Sequence, residues 1–166
     1  MNKNIQYWVD YLRLQPHPEG GFFAEVLRSN EVMKTNRGDR SYYTSIYFLL
    51  THENPSRFHR IKSDEVWYYH AGAPLTVHIL HPSGTHEIIN VGPNVEKGEV
   101  LQAVVPKGVI FGSSVEVPGA FAVVGCMCSP GFDYADFELF TKDHLTSLYP
   151  QQKEIIDRLA YDTLTV

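Results

Sequence analysis

The stretch Ser56-Arg-Phe-His59-Arg-Ile61-Lys-Ser-Asp-Glu65-Val-Trp67-Tyr-Tyr69-His-Ala-Gly72 decides how the chain is read. Two arms of alternating character meet at Lys62-Ser63-Asp64, a polar triplet suited to a tight turn, and the pattern predicts a β-hairpin. His59 lies on the first arm and Glu65 opens the second, so pairing of the arms would set an imidazole beside a carboxylate. Such a pair is the nucleus of a metal site or of acid–base chemistry. Trp67 and Tyr69 follow Glu65 at period two and are expected on its face. An aromatic face with a polar end suits a small-molecule pocket.

On either side, short runs rich in β-branched and aromatic residues recur between Gly, Pro and Asn turns. Strands are predicted over residues 22–28, 42–50, 75–80, 86–91, 100–105, 109–111 and 121–127. No helical pattern intervenes, which argues for an all-β sandwich or barrel over a parallel βαβ sheet. Residues 30–40 are polar and read as a loop. Helices are predicted only at the ends. Ile5, Trp8, Val9 and Leu12 form an amphipathic stripe that Asn4 can cap and Pro16 with Pro18 ends. Residues 141–149 read as a short helix, and Pro150 opens a last one that buries Ile155, Ile156 and Leu159.

Two further segments stand out. Pro16-His17-Pro18-Glu19-Gly20-Gly21 combines stiff prolines with glycines that allow close backbone approach. Glu19 is expected there to satisfy nearby backbone donors or face solvent, with a reach into a pocket as the lesser alternative. Residues 129–137, with Phe132, Tyr134 and Phe137, are expected to pack the barrel end while Asp133 and Asp136 fix the turn.

Composition narrows the function classes. At 166 residues, 43% hydrophobic and 20% charged, the chain reads as one globular domain with a real core. A net charge of −5 without a basic cluster speaks against nucleic acid. No apolar run is long enough for a membrane span, and no secretory leader pattern opens the sequence, so a cytoplasmic protein is expected. Cys126 and Cys128 lie two apart in an apolar strand and face one way. That is poor geometry for a mutual disulfide, and the thiols are expected as small buried hydrophobes.

His59, Ile61, Glu65 and Gly72 resemble the first cupin motif, His-x-His-x(3–4)-Glu-x(6)-Gly, and Pro106-Lys107-Gly108-Val109-Ile110-Phe111 resembles the second, Pro-x-Gly-x-x-His. The Pro-His-Pro-Glu-Gly-Gly segment, Thr44–Leu50 and Pro130–Phe137 are similar to one uncharacterised, deoxysugar-epimerase-like cupin family over nearly the whole chain. The resemblance implies a double-stranded β-helix, the cupin jelly roll, as one domain over residues 1–166. It also implies a ligand set from which this chain departs. Ile61 stands at the second histidine position and Phe111 at the motif-two histidine, leaving His59 and Glu65 as the matching ligand types. Two protein ligands fall short of a tight transition-metal site. His78, His70 or Glu138 are the side chains that would have to complete one.

Two functions are therefore expected to compete. In the first, the protein binds a small molecule in a largely apolar, metal-free pocket with no cofactor, lined by Tyr47, Trp67, Tyr69, His78 and Phe111 around His59 and Glu65. In the second it is an enzyme, either a sugar or nucleotide-sugar epimerase or isomerase, or a metal-assisted enzyme holding a divalent ion on His59 and Glu65. The epimerase reading makes His59 a general base, has Glu65 orient the imidazole, and lets Tyr69 or Tyr47 return a proton. A homodimer is expected, with Phe22, Phe23, Val26 and Leu27 as the apolar edge segment.

Overall fold

A computed structural model describes residues 4–164. After helix α1 (Ile5–Leu12) come strands β1 (Gln15–Pro16), β2 (Phe22–Arg28), β3 (Val32–Thr35), β4 (Gly38–Ser41), β5 (Thr44–Thr51), β6 (Ser56–Arg60) and β7 (Asp64–Gly72). There follow β8 (Leu75–Leu80), β9 (His86–Val91), β10 (Gln102–Val105), β11 (Ile110–Ser114), β12 (Phe121–Ser129) and β13 (Glu138–Leu139), and the chain closes with helices α2 (Lys142–Leu148) and α3 (Lys153–Leu159). One sheet runs β1-β2-β5-β12-β7-β10 and the other β13-β6-β11-β8-β9, with antiparallel neighbours throughout. The two sheets face each other as a jelly roll with short helices outside, the fold expected from the sequence.

The opening stretch is not a hairpin. β6 pairs with β11 and β13 in one sheet, whereas β7 pairs with β12 and β10 in the other. Residues 61–63 form a corner between the two walls. The physical reason lies in β6, where Phe58 and His59 point to opposite faces and both are buried. A strand buried on both faces belongs inside a layered structure, with another layer over each face. The corner is held by the next turn, whose Gly108 N–H donates to the Ile61 carbonyl at 2.9 Å.

Apolar side chains form three layers. Phe48, Leu50, Trp67, Leu75, Val77 and Phe111 fill the space between the sheets. Phe58, Leu80 and Ile110 pack outward against Leu145, Ile156 and Leu159 of the C-terminal helices. Leu49 and Val123 meet Ile5, Trp8, Val9 and Leu12 of α1 on the opposite outer face. Asn4 caps α1 as expected, its side chain accepting the Tyr7 N–H at 2.9 Å. Helices of seven or eight residues are marginal alone, so these owe their order to packing.

Residues 30–40 depart from the loop expected there. β3 and β4 pair as a small hairpin with Val32 opposite Ser41 and Thr35 opposite Gly38. Its strands carry Lys34, Asp39 and Arg40, so no apolar alternation announces it. The hairpin anchors the far end of the chain, because Arg40 Nε and Nη2 donate to the two Asp136 carboxylate oxygens at 2.9 and 3.0 Å. Arg37 Nε adds a bond at 3.2 Å, and these guanidinium bonds, Arg40's first, hold the Asp136 carboxyl below its ordinary range.

Ile156 is fully buried where α3 meets the second sheet. Ile156→Ala is expected to lower unfolding free energy by about 2–5 kcal/mol through lost burial and a residual cavity. The urea midpoint measures this, and a shift equal to that of an exposed control such as Glu154→Ala would contradict the packing.

Candidate functional site

The register of the first sheet assembles one wall of a cavity from residues far apart in sequence. Arg28, Thr44, Cys128 and Glu65 lie in one cross-strand row, and Glu25, Ile46, Cys126 and Trp67 in the next. A β-bulge between Glu25 and Leu27 changes the parity of β2, so Arg28 instead of Leu27 joins Glu25 on the inner side. The second sheet contributes His59, opposite Phe111, and the corner residue Ile61. Phe132, Asp133 and Tyr134 close over the mouth, tethered through Asp136 to β4. The enclosed cavity is about 380 Å³.

A fourth contribution comes from the turn between β1 and β2. Gly20 has φ +113 and packs so closely on the Pro55 carbonyl that a Cβ would sit 2.0 Å from it. The Glu19 carbonyl accepts the Arg57 N–H at 2.8 Å. The turn is thus pressed onto the start of β6, and the Glu19 side chain enters the cavity. Ser56 Oγ donates to Glu19 Oε1 at 2.7 Å, and Glu19 Oε2 lies 3.3 Å from His59 Nε2. His17 is drawn in too, its Nδ1 accepting the Glu19 N–H at 3.3 Å and its ring edge-on to Phe23 at 4.6 Å.

Glu19, not Glu65, is therefore the carboxyl that meets His59. The two glycines had marked a close backbone approach, and the inward Glu19 was the lesser of the two alternatives read from the sequence. His59 and Glu65 do line one cavity, although from facing walls and not as cross-strand neighbours. His59 Nδ1 donates to the Arg57 carbonyl at 2.7 Å, so its Nε2 bears a proton only when the ring is cationic. A neutral ring bonds Glu19 only if the carboxyl supplies the proton. The pair holds one proton in either arrangement, and burial favours the uncharged one. Desolvation lowers His59 to about 4, with the Arg57 carbonyl opposing, and the same burial raises Glu19.

Glu65 is raised to about 8, first by burial and then by the neighbouring Glu19 charge. It makes no hydrogen bond of good geometry. The Trp67 indole N–H and the Cys126 thiol lean toward it and pull its pKa slightly down, yet Trp67 Nε1 itself stays without a partner. Burial also keeps both thiols protonated, well above the usual cysteine range. Burial thus biases the deep end of the cavity toward uncharged acids, thiols and imidazoles.

The remaining residues singled out in the sequence lie elsewhere. Trp67 is fully buried in the core beneath Glu65, and Phe111 backs His59 with ring centroids 4.2 Å apart. Tyr69 keeps the inner face but sits toward Gly72, to whose carbonyl its hydroxyl donates at 2.8 Å. Tyr47 has the opposite parity to Ile46 and Phe48 and packs on the outer layer near α1. His78 also faces outward, bonded to His86 at 3.0 Å and Ser114 at 2.9 Å beneath α3. Phe132 and Tyr134 wall the cavity, while the Asp133 side chain accepts the Ala135 N–H at 2.8 Å and fixes the turn. Of the segment expected at a dimer edge, Phe23 lines the cavity and Phe22 lies under α1, leaving Val26 and Leu27 exposed.

A divalent metal does not fit this donor set. Ile61 and Phe111 offer no lone pair, His70 and His78 face outward, and Glu138 pairs with Arg60 at the surface. Among the described residues no group of three His, Cys, Asp or Glu side chains is arranged to hold an ion. Nor is any described helix long and apolar enough to cross a membrane.

Comparison with known proteins agrees with this architecture. A family model described as Cupin superfamily (DUF985) matches residues 6–140. An uncharacterized Saccharomyces cerevisiae protein is 30% identical over 167 residues, covering 90% of this chain and 82% of that one. A hypothetical protein from Leishmania major superposes with TM-score 0.90 at 44% identity, covering 95% of this chain and 99% of the other. A Shewanella oneidensis protein gives 0.91 at 40% identity, over 96% and 99%. A Bacillus subtilis oxalate decarboxylase superposes at 0.56 with 17% identity, over 91% of this chain and 38% of the other, a likeness of fold alone.

Burial of Glu65 predicts an inverted pH dependence of stability. A carboxyl with a folded pKa near 8 holds its proton where the unfolded chain has released it, so stability falls as pH rises from its unfolded value toward 8. His59, lowered to about 4, acts in the opposite sense between 4 and its ordinary value of 6.5. The window above 6.5 and below 8 therefore isolates the carboxyls. Unfolding free energy is expected to drop there by up to about 1.4 kcal/mol per pH unit for each such group. Urea titrations should find the slope reduced in Glu65→Gln, and an unchanged slope would remove Glu65 as its source.

Proposed function

This chain belongs to the cupin superfamily, in the family described as Cupin superfamily (DUF985), and we propose that it binds a small organic molecule inside the barrel without a resident metal. The observation that carries the reading is the convergence of His17, Glu19, His59 and Glu65, from both sheets and the turn before β2, on one aromatic-walled cavity of about 380 Å³. Concave, mostly apolar spaces with a few convergent polar groups are where proteins hold small ligands. Burying these groups without full hydrogen bonding costs stability. A bound molecule that supplied the missing partners would offset that cost. Local instability at a cavity, compensated elsewhere in the fold, is a mark of a functional site.

Proton transfer is the second reading, and the Glu19–His59 pair favours it. The His59 ring is fixed through Nδ1 to a backbone carbonyl, leaving Nε2 and the Glu19 carboxyl to exchange a proton inside the cavity. Glu65 on the facing wall is protonated at neutral pH and can donate. This arrangement suits an epimerase or isomerase acting beside a carbonyl, as in the deoxysugar-epimerase-like cupins. Glu19 takes the orienting place that the sequence assigned to Glu65. Exchange of a carbon-bound proton of a keto sugar for deuterium in D2O, lost in His59→Asn, is the expected sign of such chemistry.

Ile46 lines the cavity wall and lies outside the pair, so Ile46→Trp should fill the space while leaving the acids intact. Saturation-transfer NMR against neutral, cationic and anionic aromatic fragments is expected to detect binders to the unaltered protein. Ile46→Trp should weaken them at least tenfold with the fold retained by circular dichroism. Equal binding to both proteins would move the ligand site out of the barrel.

A further inference from the structure

The charges around the cavity separate ligand classes that its shape alone does not. Glu19, Glu25, Glu65 and Asp133 line it, and among the described lining residues Arg28 is the one permanent cation. That guanidinium is already committed: Nε and Nη2 donate to the two Glu25 oxygens at 2.9 and 2.8 Å, and Nη2 donates to the Phe132 carbonyl at 3.2 Å. An anionic ligand such as a phosphate ester would find no free cation and would face the carboxyls. Recognition of phosphate and carboxylate groups ordinarily relies on an available Arg or Lys.

Deeper in, Glu65 is only 8% exposed and borders the cavity, and the donors beside it are the uncharged Trp67 indole and Cys126 thiol. Glu19 is near enough for its charge to act on Glu65, and the pair has no cation between its members. Aromatic rings line the same cavity: His17 is edge-on to Phe23 at 4.6 Å, and Phe132 is edge-on to Tyr134 at 5.0 Å. Carboxyls backed by aromatic faces form the chemical complement of a positive group on an apolar body.

Resting on the reading of the barrel as a small-molecule site, we infer that the ligand is an organic cation, an ammonium or amidinium on an apolar or aromatic body, with Glu65 and Glu19 as its counter-charges. Desolvation pushes both carboxyls toward their protonated forms in the free protein, Glu65 to about 8, so a bound cation favours their ionised form. Binding then releases a proton to solvent. The ligand keeps its own charge, and affinity rises with pH as the carboxyls ionise, up to the vicinity of the raised Glu65 value. Asp133 at the mouth adds a negative charge along the entrance, where Glu25 and Arg28 balance each other.

Three probes of one size test this: phenethylamine, 2-phenylethanol and phenylacetate, titrated calorimetrically into the full chain. Phenethylamine is expected to bind at least tenfold more tightly than the alcohol, and the acid least tightly. Its binding heat should differ between phosphate and Tris buffers by the amount for net proton release. Its affinity should rise by up to about tenfold per pH unit between pH 6 and 8, the linkage for one released proton. Glu65→Gln should flatten that rise and reduce the amine's preference over the alcohol. If that variant does not fold, the buffer dependence of the unaltered protein decides. Alcohol or acid binding as tightly as the amine, with loss in Ile46→Trp, would overturn the cation assignment and leave the cavity reading standing. No binding by any of the three at millimolar concentration would count against both.

Discussion

Everything at the site follows from the corner at residues 61–63. Because β6 enters one sheet and β7 the other, His59 and Glu65 face each other from opposite walls and enclose a space. Adjacent strands of one sheet would have brought them into contact and left no cavity. The corner is stable because β6 buries both of its faces, Phe58 toward the C-terminal helices and His59 toward the interior. The same division places Trp67 and Phe111 behind the two polar groups as apolar backing.

That geometry leaves the deep groups poorly solvated. Burial moves the carboxyls up and the imidazoles down, so the carboxyls avoid charge by holding protons and the imidazoles by giving them up. Desolvation is the largest influence on both Glu19 and His59, and the shifts of both partners run toward neutrality. Such an interior is costly for stability and well suited to chemistry or recognition that turns on a single proton. Departure from the superfamily's motif fits this: at two of its histidine positions stand Ile61, which lines the cavity, and Phe111, which packs behind His59.

Access is controlled by segments remote in sequence. The β3–β4 hairpin holds Asp136 through Arg40 and Arg37, and so fixes the Phe132–Tyr134 rim. The Gly20 turn does the same at the opposite side by carrying Glu19 inward. In both places a polar anchor between distant strands sets an aromatic or acidic wall. Neither anchor has a periodic pattern of its own.

Strand periodicity, turn residues and end helices were legible from the amino acids because they are local properties. Residues 75–79 alternate as their pleat requires, and Ile155, Ile156 and Leu159 repeat as a helix face requires. The jelly roll was implied by the resemblance of short stretches to cupin motifs, and the same motifs singled out His59 and Glu65. The partner of His59, the outward parity of Tyr47 and the displacement of His78 did not. Each depends on which strands pair and on bulges that shift register by one residue, as Val26 does for Arg28. Only the tertiary structure decided them, because Glu19 reaches His59 across a backbone contact between chain segments almost forty residues apart, and no local pattern records such a contact.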